Sequence, residues 1–266
     1  MTGSTHEIYA IRYAHHGGRS AAQNYIGGDP HEASQALDFY VWAIRGEHGT
    51  VVVDTGFDEA MARKRGRTLL RPVAEGLQAV GIQPDEVTDV VISHLHYDHA
   101  GNYGLFPRAR YHLQECEMHF ATGRCMCDAA MRVAFEADDV AAMVHKVFTD
   151  RVTFHDGDGT VAPGITVHHI GGHSKGLQSV RVTTARGPVV LASDASHLYS
   201  HLDQGKVFPI VYDTQAVVAG YDRLKALAAS GQHIVPGHDP DVLKRYPAPR
   251  PDLEGWVARL DVAPKA

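Results

Sequence analysis

Ser93-His94-Leu95-His96-Tyr97-Asp98-His99 packs three imidazoles and a carboxylate into six positions, directly after the apolar, β-branched run Asp89 to Ile92. Imidazole nitrogen and carboxylate oxygen are the usual donors for zinc and its first-row neighbours. Spacing of i, i+2, i+4 and i+5 lets one tight loop aim side chains two ways, so a single loop can serve two metals. A histidine-rich surface turn would account for these residues but leaves the later His and Asp positions unexplained. His173 in Gly171-Gly172-His173-Ser174, Asp194 in Ala192-Ser193-Asp194-Ala195 and His238 in Pro236-Gly237-His238-Asp239 each come after a strand-like run. Any one of them alone is more often a turn or capping residue. Together, in this order, they form a far more specific pattern.

Short β-branched runs bounded by Gly, Asp or Pro recur outward from this stretch. They predict strands at Glu7 to Tyr13, Phe39 to Arg45, Thr50 to Val53, Asp89 to Ile92 and Ala109 to Leu113. A second set falls at Val152 to Phe154, Ile165 to Ile170, Ser179 to Thr183, Pro188 to Ala192 and His233 to Val235. Helical periodicity lies at Arg71 to Val80, Asp128 to Phe148 and Gln215 to Ala229, with a weaker helix expected over Asp252 to Leu260. Strand groups with intervening helices imply an α/β fold of two mixed sheets packed face to face with helices outside, a four-layer αββα sandwich. We expect a single domain over residues 1–266, with a loop insert at about 15–36 and a helical insert at about 115–150. The first insert is a long hairpin loop or a wall of the site. The second carries Met118, Phe120, Met126, Met131, Phe135, Met143 and Phe148, most of them expected to pack a helix pair and a minority to line a pocket.

The 25 Lys and Arg against 31 Asp and Glu give a net charge of -6, and no stretch mixes basic and aromatic residues as a nucleic-acid face does. No run approaches about 18 apolar residues and the N-terminus lacks a signal pattern, so a cytoplasmic protein with neither nucleic-acid nor membrane partners is expected. Three cysteines, Cys116, Cys125 and Cys127, argue against a disulfide framework. The expected partner is a small-molecule substrate, with a homodimer among the assemblies left open.

The H-x-H-x-D-H motif and the ordered later His, Asp and His resemble the metallo-β-lactamase superfamily over roughly Val52 to Asp239. Val53-Asp54-Thr55-Gly56 is similar to its early strand-end signature, whose Asp orients the metal loop rather than binding metal. The resemblance implies that His94, His96 and His173 hold one metal and Asp98, His99 and His238 a second, with Asp194 bridging. Two divalent ions are implied, zinc first, with iron or manganese as alternatives. Such a binuclear centre lowers the pKa of bound water towards about 7 and so supplies hydroxide for hydrolysis. Asp98 would both bind metal and shuttle the leaving-group proton.

Within the superfamily the chain looks most like the N-acyl homoserine lactonase and small-lactone hydrolase group. That likeness implies a di-zinc hydrolase opening a lactone or a related ester or cyclic amide. A thioesterase or a β-lactam or amide hydrolase is the alternative, and an iron-dependent oxidoreductase or a metal-bound sensor stands behind those. Lactonases of this kind commonly place a substrate-contacting Tyr three residues after the bridging Asp, where this chain has His197. His197 or Tyr199 is therefore the expected catalytic substitute, with His201 as a further possibility on the same loop. His15 and His16 could border the site, and Lys175 and Arg19 are candidates to pair with an anionic substrate group.

Overall fold

The computed structural model describes residues 5–265. β1 (Glu7–His16), β2 (Leu37–Gly46), β3 (Gly49–Val53), β4 (Thr68–Leu69), β5 (Asp89–Val91), β6 (Arg110–Gln114) and β7 (Val152–His155) build the first sheet with a late strand, β13 (Val257–Arg259). Its order is β13-β1-β2-β3-β5-β6-β7, with β4 on β1; the β3-β5-β6-β7 part is parallel and the rest antiparallel. The second sheet comprises β8 (Gly159–Ala162), β9 (Ile165–His169), β10 (Gln178–Thr184), β11 (Gly187–Ser193) and β12 (Ile234–Pro236), in the order β12-β11-β10-β9-β8. Only β11-β12 is parallel there. Both sheets are thus mixed, as expected.

Alternation along the strands makes the layers. Ile8, Ala10, Tyr40, Trp42, Ile44, Val51 and Val53 pack with Val167, Val180, Val182 and Leu191 between the sheets. The alternate neighbours Tyr9, Ile11, Phe39, Val41 and Val52 turn outward onto Ala62, Leu77 and Met143 of helices Glu59–Arg65, Val73–Ala79 and Ala137–Phe148. Val190 and Ala192 of β11 face Leu224 on helix Thr214–Leu227. A side-chain period of two therefore places every strand of this kind between two apolar layers, and the αββα order is the result.

Two expectations fail. Residues 252–260 are not helical: a 3-10 turn at Pro251–Leu253 leads into β13, which pairs with β1 through Tyr9 and Arg259, Ala10 and Ala258, and Ile11 and Val257. An open sheet edge captured a segment whose own helical signal is weak. The helix expected over 128–148 starts only at Ala137. Residues before it are held as turns because Phe135 bridges His96 and the Ala134 carbonyl accepts the Tyr97 N–H at 2.9 Å. In the helical insert, helix Glu115–Thr122 and a 3-10 turn at Arg124–Cys127 precede that segment. In the 15–36 stretch, β1 runs on to His16 and a short helix at Ala21–Asn24 comes next. Among the described residues no helix is long and apolar enough to cross a membrane.

Candidate metal centre

Loops after β3, β5, β9, β11 and β12 converge at one end of the sandwich, and they carry Asp54, His94 to His99, His173, Asp194 and His238. All seven donors are buried, Asp98 being the most open at 8% exposure. His94, His96 and His173 bring ligand atoms within 4.8 Å of one another, as do Asp98, His99 and His238. Asp194 lies between the sets. Its Oδ2 is 3.2 Å from His173 Nε2 and 4.0 Å from His94 Nε2, while its Oδ1 is 3.0 Å from His238 Nε2 and 3.3 Å from His99 Nε2.

The imidazoles are turned by their outer nitrogens. Nδ1–H of His173 donates to the Ile210 carbonyl at 2.6 Å, that of His238 to the Asp38 carbonyl at 2.9 Å, and that of His99 to Asp54 Oδ2 at 2.8 Å. His94 Nδ1–H donates to Ser93 Oγ at 3.0 Å, and Ser93 Oγ–H in turn donates to Asp54 at 2.9 Å. Fixing the proton on Nδ1 leaves the Nε2 lone pair facing inward. His94 Nε2 and His173 Nε2 then meet lone pair to lone pair at 3.1 Å, and the buried His99 Nε2 and Asp194 Oδ1 have no hydrogen-bond partner among the described residues. Acceptors crowded in this way repel one another unless a cation sits among them. The donor set therefore fits divalent metal ions.

Burial pushes His94 and His96 well below the ordinary imidazole range, with their neighbouring imidazoles adding to it. Burial also acts downward on His99 and His238, but Asp194 and Asp98 outweigh it and raise both. Burial would raise Asp194; His238, His99 and His197 overcome that and hold it ionised. The backbone is shaped for this purpose. Asp54 and Ser193 adopt left-handed φ of 62° and 47°, conformations that cost a non-glycine residue about 1–3 kcal/mol and cluster at functional sites. Gly237 is required because a Cβ there would lie 2.7 Å from Asp194 Oδ1.

Glu117, which carries no sequence signal, joins two of these loops. It is fully buried, and its Oε1 accepts the Leu95 N–H at 3.0 Å while Oε2 accepts the Gly176 N–H at 2.7 Å. Asp54 does the same for the β5 loop by accepting the Ser93 N–H at 2.7 Å.

A cleft of about 170 Å³ opens over the cluster, lined by His96, Asp98, His173, Asp194, His197 and His238 among others. His197 reaches it: its ring stacks on Phe208 at 3.7 Å, and its Nε2–H donates to Asp194 Oδ2 at 2.9 Å. Tyr199 does not. It begins helix Tyr199–Gln204, packs into the core between the sheets, and lies beneath Arg245, its hydroxyl without a hydrogen-bond partner among the described residues. His201 is also structural, accepting the Leu198 N–H at 3.1 Å and donating to the Asn24 carbonyl at 2.9 Å. His15 is tied to Asp38 at 2.7 Å, and Lys175 is exposed away from the cleft. His16 and Arg19 line the cleft, as do Arg65 and Arg67, which sequence reasoning missed. An adjoining cavity of about 290 Å³, which shares His96 and His173 with the cleft, includes Phe120 and Met131 from the helical insert.

Comparison with known proteins bears on this arrangement. Residues 40–238 match the family model described as the metallo-beta-lactamase superfamily. An N-acyl homoserine lactonase of Bacillus sp is 27% identical over 223 residues, covering 77% of this chain and 83% of the relative. N-acyl homoserine lactonase AttM of Azorhizobium caulinodans is 31% identical over 168 residues, covering 62% of this chain and 63% of the relative. A crystal structure of a quorum-quenching N-acyl homoserine lactone lactonase superposes with a TM-score of 0.74 at 24% identity, over 90% of this chain and 93% of that one.

Proposed function

The chain belongs to the metallo-beta-lactamase superfamily, and from that membership we propose that it is a di-zinc hydrolase that opens a lactone of a small molecule. The observation that carries this reading is the Asp194 carboxylate, whose two oxygens face two separate histidine-containing donor sets at 3.0–4.0 Å. The lactonases among its relatives support the substrate class. His94, His96 and His173 would hold one ion and Asp98, His99 and His238 the other. When bound, the ions would supply a more acidic water and a Lewis acid for the ester carbonyl.

The protein's own groups do the rest. Asp98, the least buried of the seven, is open to the cleft and can hold the proton lost by the attacking water. As the carbonyl carbon gains the water oxygen and the ring C–O bond breaks, Asp98 returns that proton to the departing oxygen, leaving a hydroxy acid. His197, fixed between Phe208 and Asp194, holds the Asp194 carboxylate in place and presents its ring to the cleft. The three cysteines are free, which suits a reducing cytoplasm.

Metal analysis of natively purified protein, with a lactone, ester and amide panel run on the same preparation, tests the proposal. About two zinc equivalents per chain with lactone opening are expected, both lost in Asp194→Asn. A fully loaded protein inert across the panel refutes the reading, as does His96→Ala retaining metal and activity.

A further inference from the structure

One wall of the cleft, with His16, Arg19 and Arg67, carries positive charge that the protein leaves unanswered. Arg19 Nη1 lies 2.9 Å from His16 Nδ1, and Arg67 Nη1 lies 3.3 Å from His16 Nε2. One imidazole separates two guanidiniums. Burial, with Arg67 and Arg19 nearby, pushes His16 down to about 4, so the ring is neutral at physiological pH and offers one lone pair to two donors. Burial and Arg67 together pull Arg19 down to about 10. Among the described residues neither arginine has a carboxylate within 4.0 Å. The third arginine of the wall, Arg65, is neutralised by Glu136 at 2.6 Å, and the nearby Asp38 is engaged by Arg12 at 3.1 Å and His15 at 2.7 Å.

The remaining donors are directed. Arg67 Nε is fixed on the Tyr97 hydroxyl at 3.1 Å, which ties this guanidinium to the loop bearing His96 and Asp98. Its Nη2 has no acceptor among the described residues. Arg19 is held by Asn24 through Nε at 2.6 Å and by the Gln23 carbonyl through Nη2. Two anchored guanidiniums, held by neutral acceptors with no carboxylate to answer their charge among the described residues and sharing a cleft with the candidate metal donors, are preorganised for an anion. Arg67 Nη2 is the open donor for a carboxylate oxygen, and Arg19, whose three nitrogens are engaged by neutral acceptors, adds a charge that no carboxylate answers. The adjoining cavity, with Phe120, Met131, Val133 and Tyr212, would take an apolar portion, and it meets the cleft at His96 and His173.

We propose that Arg19 and Arg67 recognise a carboxylate on the substrate, so that the lactone opened here is an anionic one. This rests on the lactonase reading and specifies its substrate class. Both arginines are positioning residues and take no part in bond making.

The test compares a γ-lactone bearing a carboxylate on its γ carbon with the matching carboxamide, using metal-loaded protein. Wild type is expected to favour the carboxylate by about 10- to 100-fold in kcat/KM, carried mainly by KM. Arg19→Gln and Arg67→Gln should each cut that ratio at least tenfold. Arg67→Lys, which keeps charge and loses the fork, retains part of it and covers the case in which a glutamine variant fails to fold. Arg63→Gln, on the exposed Arg63–Glu59 pair, keeps the full ratio. Glutarate binding to the same holoenzyme is measured by calorimetry alongside, with inorganic phosphate as the rival anion. If neither lactone turns over while glutarate binds wild type and not Arg67→Gln, the lactonase reading falls and the carboxylate site stands. Equal hydrolysis of both lactones, tighter binding of phosphate than of glutarate, or no Arg67-dependent glutarate binding overturns the proposal.

Discussion

Replacing Glu117 with alanine tests whether the metal loops are held by one buried carboxylate. The side chain joins Leu95, between His94 and His96, to Gly176, three residues beyond His173, at 3.0 and 2.7 Å. Truncation orphans two buried N–H groups at about 1–3 kcal/mol each. Part of that loss is offset, because burial already makes the ionised carboxyl costly and raises its pKa against the pull of those two amides. A net loss of about 2–4 kcal/mol remains, which for a chain of this size lowers Tm by roughly 5–10 °C. Glu117→Gln keeps one acceptor and turns an N–H₂ towards the other amide, so it should lose about half as much. Melting is measured by circular dichroism in the presence of chelator, since bound metal would add its own stabilisation to the difference. Metal affinity, read by chelator competition, should weaken about 10- to 100-fold. Gly176→Ala attacks the same joint from the other side, because its Cβ would lie 2.4 Å from the Glu117 Cβ. An alanine variant that melts within about 1 °C of wild type and binds metal equally well refutes the coupling.

Three further outcomes are expected. Burial, with Glu136, Asp138 and Asp58 nearby, pushes Asp139 up to about 7. A folded pKa above the unfolded value of about 3.9 means that the native state holds the proton more tightly, so stability is complete below about pH 4 and falls as pH rises to about 7. Asp139→Asn removes that loss, and after allowance for partial exposure it should raise Tm by roughly 2–4 °C at pH 8 and less at pH 4.5; an equal gain at both values would contradict this. Tyr199→Phe deletes a hydroxyl that has no partner among the described residues and lies outside the cleft, so steady-state kinetics should be unchanged, and a tenfold fall in kcat would return Tyr199 to the mechanism. His197→Ala, which removes the 2.9 Å contact to Asp194, should lower kcat about 10- to 100-fold with metal still bound. Full activity in that variant would leave His197 as packing against Phe208.

Legibility in the sequence tracks the range over which each interaction acts. The β5 loop could be read because four of its donors lie within six residues, and the strands could be read because β-branched residues alternate against two apolar layers. β13 could not, since its hydrogen bonds are supplied by β1, almost the whole chain away. Glu117 was equally silent, its partners being amides 22 and 59 residues distant. His197 and Tyr199 show the finest limit. They look equivalent in a loop, but the helix starting at Tyr199 turns one ring onto Asp194 and the other between the sheets.

Arg19 and Arg67 extend the same point to specificity. Arg67 comes directly after the left-handed Gly66 that ends helix Glu59–Arg65, and β4 then pairs with β1 beyond it. That pairing brings Arg67 against His16 at the end of β1. Four of the seven candidate metal donors are clustered along the chain, where adjacent donors on one rigid turn lose little entropy when they gather, while His173, Asp194 and His238 come from separate strand ends. The arginines come from separate segments and meet only once the sheet edge forms. On the proposal made for Arg19 and Arg67, variants that loosen the β1–β4 edge should alter which substrate is taken before they alter whether metal is held.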